Sequence, residues 1–221
     1  MSRKTKPHVL ISPGSSSEYS ISNKLRKLGA TCEIVAPSEK HQVVQQKYNR
    51  ATHIILGGGG DVDPSRYGQD NVYSTGISTL RDKLEFKLLR WAARDRKPLL
   101  GICRGNQIMS VFFGAELIQD IENEGYNLIE HWGKYHEAHA IKGGFVRDVV
   151  QKVKFETNSY HHQAVREDTM PDDLYVVALS YDGIVEAVQH RSLPMYGIQS
   201  HPETQNTPWA WLLFSMFIHT N

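Results

Sequence analysis

Of the two cysteines in this 221-residue sequence, Cys103 stands where a nucleophile would be expected. The short apolar run 98–102 reads as a buried strand and 107–113 as a helix, with Gly101 and Gly105 two positions either side of the cysteine. This is the spacing of a nucleophile elbow, a strand-to-helix turn that holds a reactive side chain above a sheet in a strained conformation, here with sulfur in place of oxygen. The N–H groups and positive dipole end of the following helix stabilise a thiolate. A lone cysteine also serves as a small apolar filler, so the reading needs a second group. His201-Pro202-Glu203 supplies it at the end of the apolar stretch 195–198. Pro202 favours extended backbone at His201, and in extended chain residues 201 and 203 project to the same side. Glu203 can then fix the imidazole tautomer, as the orienter of a nucleophile–base pair does. His162 is a second candidate base, but the sequence places no orienter beside it.

The run Gly57-Gly58-Gly59-Gly60 follows the strand-like segment 53–56. Glycine loops at strand ends often bind phosphate. No Lys-Ser or Lys-Thr follows, however, and Val62 occupies the position of the third glycine in a dinucleotide fingerprint. A loop whose N–H joins that of Arg104 as an oxyanion hole fits better, because glycines leave room for a substrate carbonyl and permit unusual peptide orientations.

Gly-Ile-Cys-Arg-Gly-Asn-Gln (101–107) and Ser-His-Pro-Glu (200–203) resemble the class I glutamine amidotransferase superfamily. The closer resemblance is to the branch of gamma-glutamyl hydrolases and gamma-glutamyl-GABA hydrolase. Gly57–Pro64 with Tyr67-Gly68, Arg81-Asp82 with Glu85, Gln119-Asp120-Ile121 and 158–163 agree with it. The resemblance spans about residues 54–203 and implies a Cys103–His201–Glu203 triad with Gly59 and Arg104 as oxyanion donors. It further implies that Gln107 binds the alpha-amino or alpha-carboxylate group, and that Asn158, Ser159, Tyr160 and His161 border the pocket for the glutamate end of the substrate. Arg81, Asp82 and Glu85 read equally as substrate contacts or as a solvated helix face with local ion pairs. The expected activity is hydrolysis of a small gamma-glutamyl amide through a thioester. The alternative is a glutaminase subunit that hands ammonia to a separate synthetase. Gly114-Ala115 departs from the family's usual Gly-Gly.

With 40 % hydrophobic residues and this length, one domain over 1–221 is expected. The net charge of +1 gives no broad case for nucleic acid or an anionic membrane, and Arg3, Lys4 and Lys6 read as a solvated tail. The resemblance implies a small gamma-glutamyl substrate or glutamine as the partner, with no cofactor. Two cysteines are too few for a disulfide framework, and 9–11 is too short for a signal-peptide core. A cytoplasmic location follows. The apolar stretch 209–218 is about half the length needed to span a bilayer, and reads as a helix with Thr207 as N-cap and Pro208 at its first position.

Strand, helix and strand alternate over 8–11, 19–28, 31–35 and 53–56, then 80–93 reads as a helix leading to the Cys103 strand. Short connections between such elements predict a doubly wound, mostly parallel flavodoxin-like α/β sheet with helices on both faces and its site at the carboxyl ends of the strands. After Gly114 the pattern breaks into short strands and turns, which the superfamily resemblance makes a small extra β region near the active site. Segments 174–179 and 184–189 form a hairpin through Tyr181-Asp182-Gly183. His131, His136 and His139 cluster along the chain, but their spacing does not match His-Glu-x-x-His. A histidine-bearing lid without metal is the expectation there.

Overall fold

The computed structural model describes residues 6–14, 17–126 and 128–220, so Arg3 and Lys4 lie outside the described residues. Its first strand, β1 (His8–Ser12), is buried from Val9 onward, as a strand covered on both faces must be. Val9 and Ile11 face one apolar core and Leu10 the other, the alternation a pleated strand imposes. α1 (Ser17–Lys27), β2 (Thr31–Ile34), α2 (His41–Arg50) and β3 (His53–Leu56) follow. α3 (Thr79–Asp95) starts at Ser78, whose side chain accepts from the Arg81 N–H, and leads through β4 (Leu99–Ile102) into α4 (Arg104–Phe113).

The second half contains β5 (Leu117–Ile118), β6 (Trp132–Ala140), α5 (Phe145–Val150), β7 (Lys154–Tyr160) and β8 (Ala164–Val165). β9 (Leu174–Ser180), β10 (Val185–His190), β11 (Met195–Ile198) and α6 (Pro208–His219) complete it. Thr207 accepts from the Ala210 N–H and Pro208 occupies the first turn of α6, as the sequence predicts.

The main sheet has nine strands in the order β2-β1-β3-β4-β11-β10-β9-β6-β7. The first five run parallel; the remaining pairings are antiparallel. α1, α5 and α6 contribute Leu25, Phe145 and Phe214 to the core on one face, while α2, α3 and α4 contribute Tyr48, Leu88 and Ile108 to the other. The expected flavodoxin-like class holds, with one difference. Most of the extra β region continues the main sheet as an antiparallel extension, because β11 bonds β4 on one edge and β10 on the other. Only β5 and β8 form a separate two-stranded ladder. Among the described residues no helix is long and apolar enough to cross a membrane.

Candidate active site

Cys103 lies between β4 and α4 with φ 52° and ψ −109°, a conformation that costs a non-glycine residue on the order of 1–3 kcal/mol. The turn is held from both sides. The Cys103 N–H donates to the Ile198 carbonyl at 2.8 Å, and its own carbonyl accepts from Asn106 N at 2.9 Å. The flanking glycines are required by close approach: a Cβ on Gly101 would stand 2.3 Å from the Gly105 oxygen, and one on Gly105 would stand 2.0 Å from the Leu56 oxygen. Backbone therefore packs directly on backbone beneath the sulfur.

His201 follows β11, and its Nδ1 lies 2.7 Å from Glu203 Oε1, whose side chain is buried. A Cβ placed on Gly58 would fall 2.7 Å from His201 Cε1 and 3.5 Å from Cys103 Cβ, so the imidazole and the base of the Cys103 side chain share the space above that glycine. Gln199 Nε2 donates to Cys103 Sγ at 3.7 Å. Burial pulls the His201 imidazole down, but the neighbouring Cys103 sulfur and Glu203 carboxylate outweigh it and push its pKa up to about 11.

Behind the glycine loop lies a buried ion network. Arg81 Nη2 donates to the Gly57 carbonyl at 2.7 Å, its Nη1 to the Gly58 carbonyl at 2.9 Å and its Nε to Glu85 at 2.9 Å. The Arg104 guanidinium, also buried, pairs with Asp82 and Glu85, and Ser12 Oγ donates to Glu85 at 2.6 Å. Burial works against ionisation of Glu85, but Arg104 and Arg81 outweigh it and hold its carboxyl below the usual range. Arg81, Asp82 and Glu85 are thus buried rather than a solvated face, and none of them lines the cleft. They anchor the loop from below.

A cleft of about 300 Å³ opens over this arrangement, lined by Gly59, Asp61, Cys103, Gln107, Tyr160 and His201 among others. Gln107 Nε2 donates to the Gln163 carbonyl at 3.0 Å, and His161 also reaches the cleft. Asn158 and Ser159 do not line it. Asn158 Oδ1 accepts from His201 N at 2.9 Å while its Nδ2 donates to the His201 carbonyl at 3.2 Å, clamping that residue's backbone. Ser159 Oγ donates to the His131 carbonyl at 2.7 Å. His162, also in the cleft wall, has the orienters the sequence did not reveal: Asp61 Oδ2 at 3.0 Å and Asp120 Oδ2 at 3.2 Å. The hydrogen bond to Asp61, outweighing burial, raises its pKa. The chain-local histidine cluster resolves differently from expectation. His139 pairs with Glu137 on the exposed side, whereas His131 and His136 converge with His161 and Glu186.

The peptidase C26 family model matches residues 6–203. The chain belongs to this family. As a peptidase C26 member it falls within the class I glutamine amidotransferase-like superfamily, and a class I amidotransferase-type hydrolysis is its reaction class. It is 32 % identical over 175 residues to the provisionally named glutamine amidotransferase PB2B2.05 of Schizosaccharomyces pombe, covering 75 % of this chain and 68 % of that protein. It is 26 % identical over 204 residues to the carbamoyl phosphate synthase small chain of Aquifex aeolicus, covering 91 % of this chain and 46 % of the other. A Thermoplasma acidophilum protein provisionally assigned to GMP synthase, as one of its subunits, shares the fold, with a TM-score of 0.74 at 18 % identity over 98 % of this chain and 94 % of that one.

Proposed function

We propose that this peptidase C26 member is a glutaminase of the amidotransferase type, releasing ammonia from a gamma-carboxamide for a separate synthetase. The observation that carries the chemistry is the strained Cys103 packed with His201 above Gly58. With Nδ1–H held by Glu203, the His201 Nε2 is free to exchange a proton with the sulfur. The thiolate attacks the gamma-carbonyl carbon and the carbonyl electrons move to oxygen. Collapse of that intermediate breaks the C–N bond, and the imidazolium gives its proton to the departing ammonia. Water, deprotonated by His201, then attacks the thioester. Glutamate leaves, and the sulfur recovers its proton.

The oxyanion of both steps lies between two N–H groups. One belongs to Arg104 in the first turn of α4, where N–H groups lack helical partners. The other belongs to Gly59. In a trans peptide the N–H points opposite to the preceding carbonyl, and the Gly58 carbonyl is committed to Arg81. The Gly59 N–H is thereby turned away from Arg81, and donors fixed in advance need no reorganisation as charge develops.

The names of the relatives support a partnered role: one is a small chain of carbamoyl phosphate synthase, another is assigned to GMP synthase as a subunit. A second reading, hydrolysis of a larger gamma-glutamyl amide without a partner, is favoured by one feature. A second cleft of about 380 Å³ shares Trp132, His161 and His162 with the first, giving room for an amine bulkier than ammonia. Purified protein assayed for glutamate release from glutamine and from a panel of gamma-glutamyl amides distinguishes the two. Glutamine hydrolysis that accelerates on adding a synthetase supports the first reading. Rapid cleavage of one amide by the protein alone supports the second, and no glutamate from any substrate overturns both.

A further inference from the structure

The convergence of His131, His136, His161 and Glu186 has a donor count that the surrounding protein leaves unbalanced. The four side chains come from the segment before β6, from β6, from the end of β7 and from β10, and all are nearly buried. Each histidine has one ring nitrogen already facing an acceptor. His131 Nε2 lies 3.1 Å from Asp182 Oδ2, His161 Nδ1 lies 3.0 Å from the Gln163 carbonyl, and His136 Nδ1 lies 3.3 Å from the Glu137 carbonyl. A neutral imidazole has a single N–H, so these contacts use it. The other three nitrogens then present lone pairs, and they face a carboxylate.

From Glu186 Oε1, His136 Nε2 stands at 3.2 Å, and His131 Nδ1 and His161 Nε2 each at 3.9 Å. His136 Nε2, His161 Nε2 and both Glu186 oxygens lack any aligned hydrogen-bond partner. Ser159 Oγ, 3.4 Å from His131 Nδ1, gives its proton to the His131 carbonyl instead. Acceptors buried together without a donor are costly. A proton on His136 could pair with Glu186, yet His161 Nε2 would remain bare. One dication satisfies all four groups.

We propose that His131 Nδ1, His136 Nε2, His161 Nε2 and the Glu186 carboxylate bind a divalent transition-metal ion. Imidazole and carboxylate together suit zinc. At zinc–ligand distances of about 2.0–2.2 Å, tetrahedral ligand atoms stand roughly 3.3 Å apart. Here they lie within 4.8 Å of one another, so small side-chain rotations close the set. The histidine contacts to Asp182 and to backbone carbonyls are those that orient ligating imidazoles and raise their basicity. The ion would tie β6, the end of β7 and β10 together behind the cleft, fixing the wall that carries Trp132, Tyr160 and His161. This inference does not depend on the choice of substrate.

The test uses the full chain, stripped with a chelator and titrated with Zn2+ alone by calorimetry, with metal content checked by mass spectrometry and Co2+ used as a spectroscopic substitute. One Zn2+ per chain, a higher unfolding temperature on binding, and a four-coordinate Co2+ spectrum are expected. Glu186→Gln should lose the ion, Asp182→Asn should weaken it by about 10–100-fold, and Cys103→Ser should bind as the wild type does. Should Glu186→Gln fail to fold, the graded loss in Asp182→Asn still decides. No uptake by the wild type overturns the proposal, as does uptake that Cys103→Ser abolishes while Asp182→Asn leaves it unchanged.

Discussion

Arg81 Nη1 donates to the Gly58 carbonyl at 2.9 Å, and through that bond a residue of α3 sets the direction of an N–H in the glycine loop. Arg81→Lys keeps the charge but cannot hold the two carbonyls and Glu85 with one planar fork. We expect kcat to fall on the order of 100-fold, as when an oxyanion donor is lost, with KM little changed. Steady-state kinetics beside a thermal-unfolding control checks this. A raised KM at unaltered kcat would assign the loop to substrate binding instead.

Replacing Cys103 should separate chemistry from strain. Cys103→Ala and Cys103→Gly should both lack turnover. Glycine relieves the φ of 52° and alanine does not, so Cys103→Gly should be the more stable of the two by about 1–3 kcal/mol. Paired denaturant titrations measure the difference, and equal stabilities would mean that the turn is unstrained.

His201 predicts a pH dependence of stability. Its folded pKa, raised to about 11, exceeds the ordinary value of about 6.5. Its stabilising contribution is therefore complete below about pH 6.5 and disappears as pH climbs toward the folded value. The stability advantage of wild type over His201→Gln should shrink across that window. An advantage that grows with pH would contradict the proposed pairing with Cys103 and Glu203.

Asn158 distinguishes positioning from binding. Because its carboxamide clamps the His201 backbone, Asn158→Ala should lower kcat more than it raises KM. A loss confined to KM would instead return Asn158 to the substrate pocket.

The parts of the site legible in the sequence are those built over short range. The Gly101-x-Cys103-x-Gly105 turn states its geometry in a few residues, since turn sterics act locally. His201 and Glu203 also meet as expected, but across a turn in which the Thr204 N–H donates to the His201 carbonyl at 3.2 Å, not along an extended chain. The Arg81–Glu85–Arg104–Asp82 network was not legible, because positions 81, 82 and 85 also suit a solvated helix face and their counter-charge lies across the sheet-to-helix turn. His139 misled for a local reason. It is three residues from His136 on β6, and an odd separation on a strand puts the two side chains on opposite faces. Their true companions, His161 and Glu186, come from strands that meet only through the antiparallel extension. His162 gained Asp61 and Asp120 through other long-range contacts, with the loops that follow β3 and β5.

β11 and β4 pair in parallel with Gly197 opposite Gly101 and Ile198 opposite Ile102, and the chain leaves each strand directly toward His201 or Cys103. The spacing of sulfur and imidazole is thus ruled off by the register of one ladder, much as two marks on adjacent scales are. A Cβ on Gly197 would meet Asn106 Oδ1 at 2.1 Å, so the scale cannot slide without displacing the Asn106 side chain of α4. Heat inactivation should accordingly follow the opening of this ladder, with backbone amides of 99–102 and 195–198 becoming exchangeable in step with the loss of activity, while the outer strand β2 opens earlier without consequence for it.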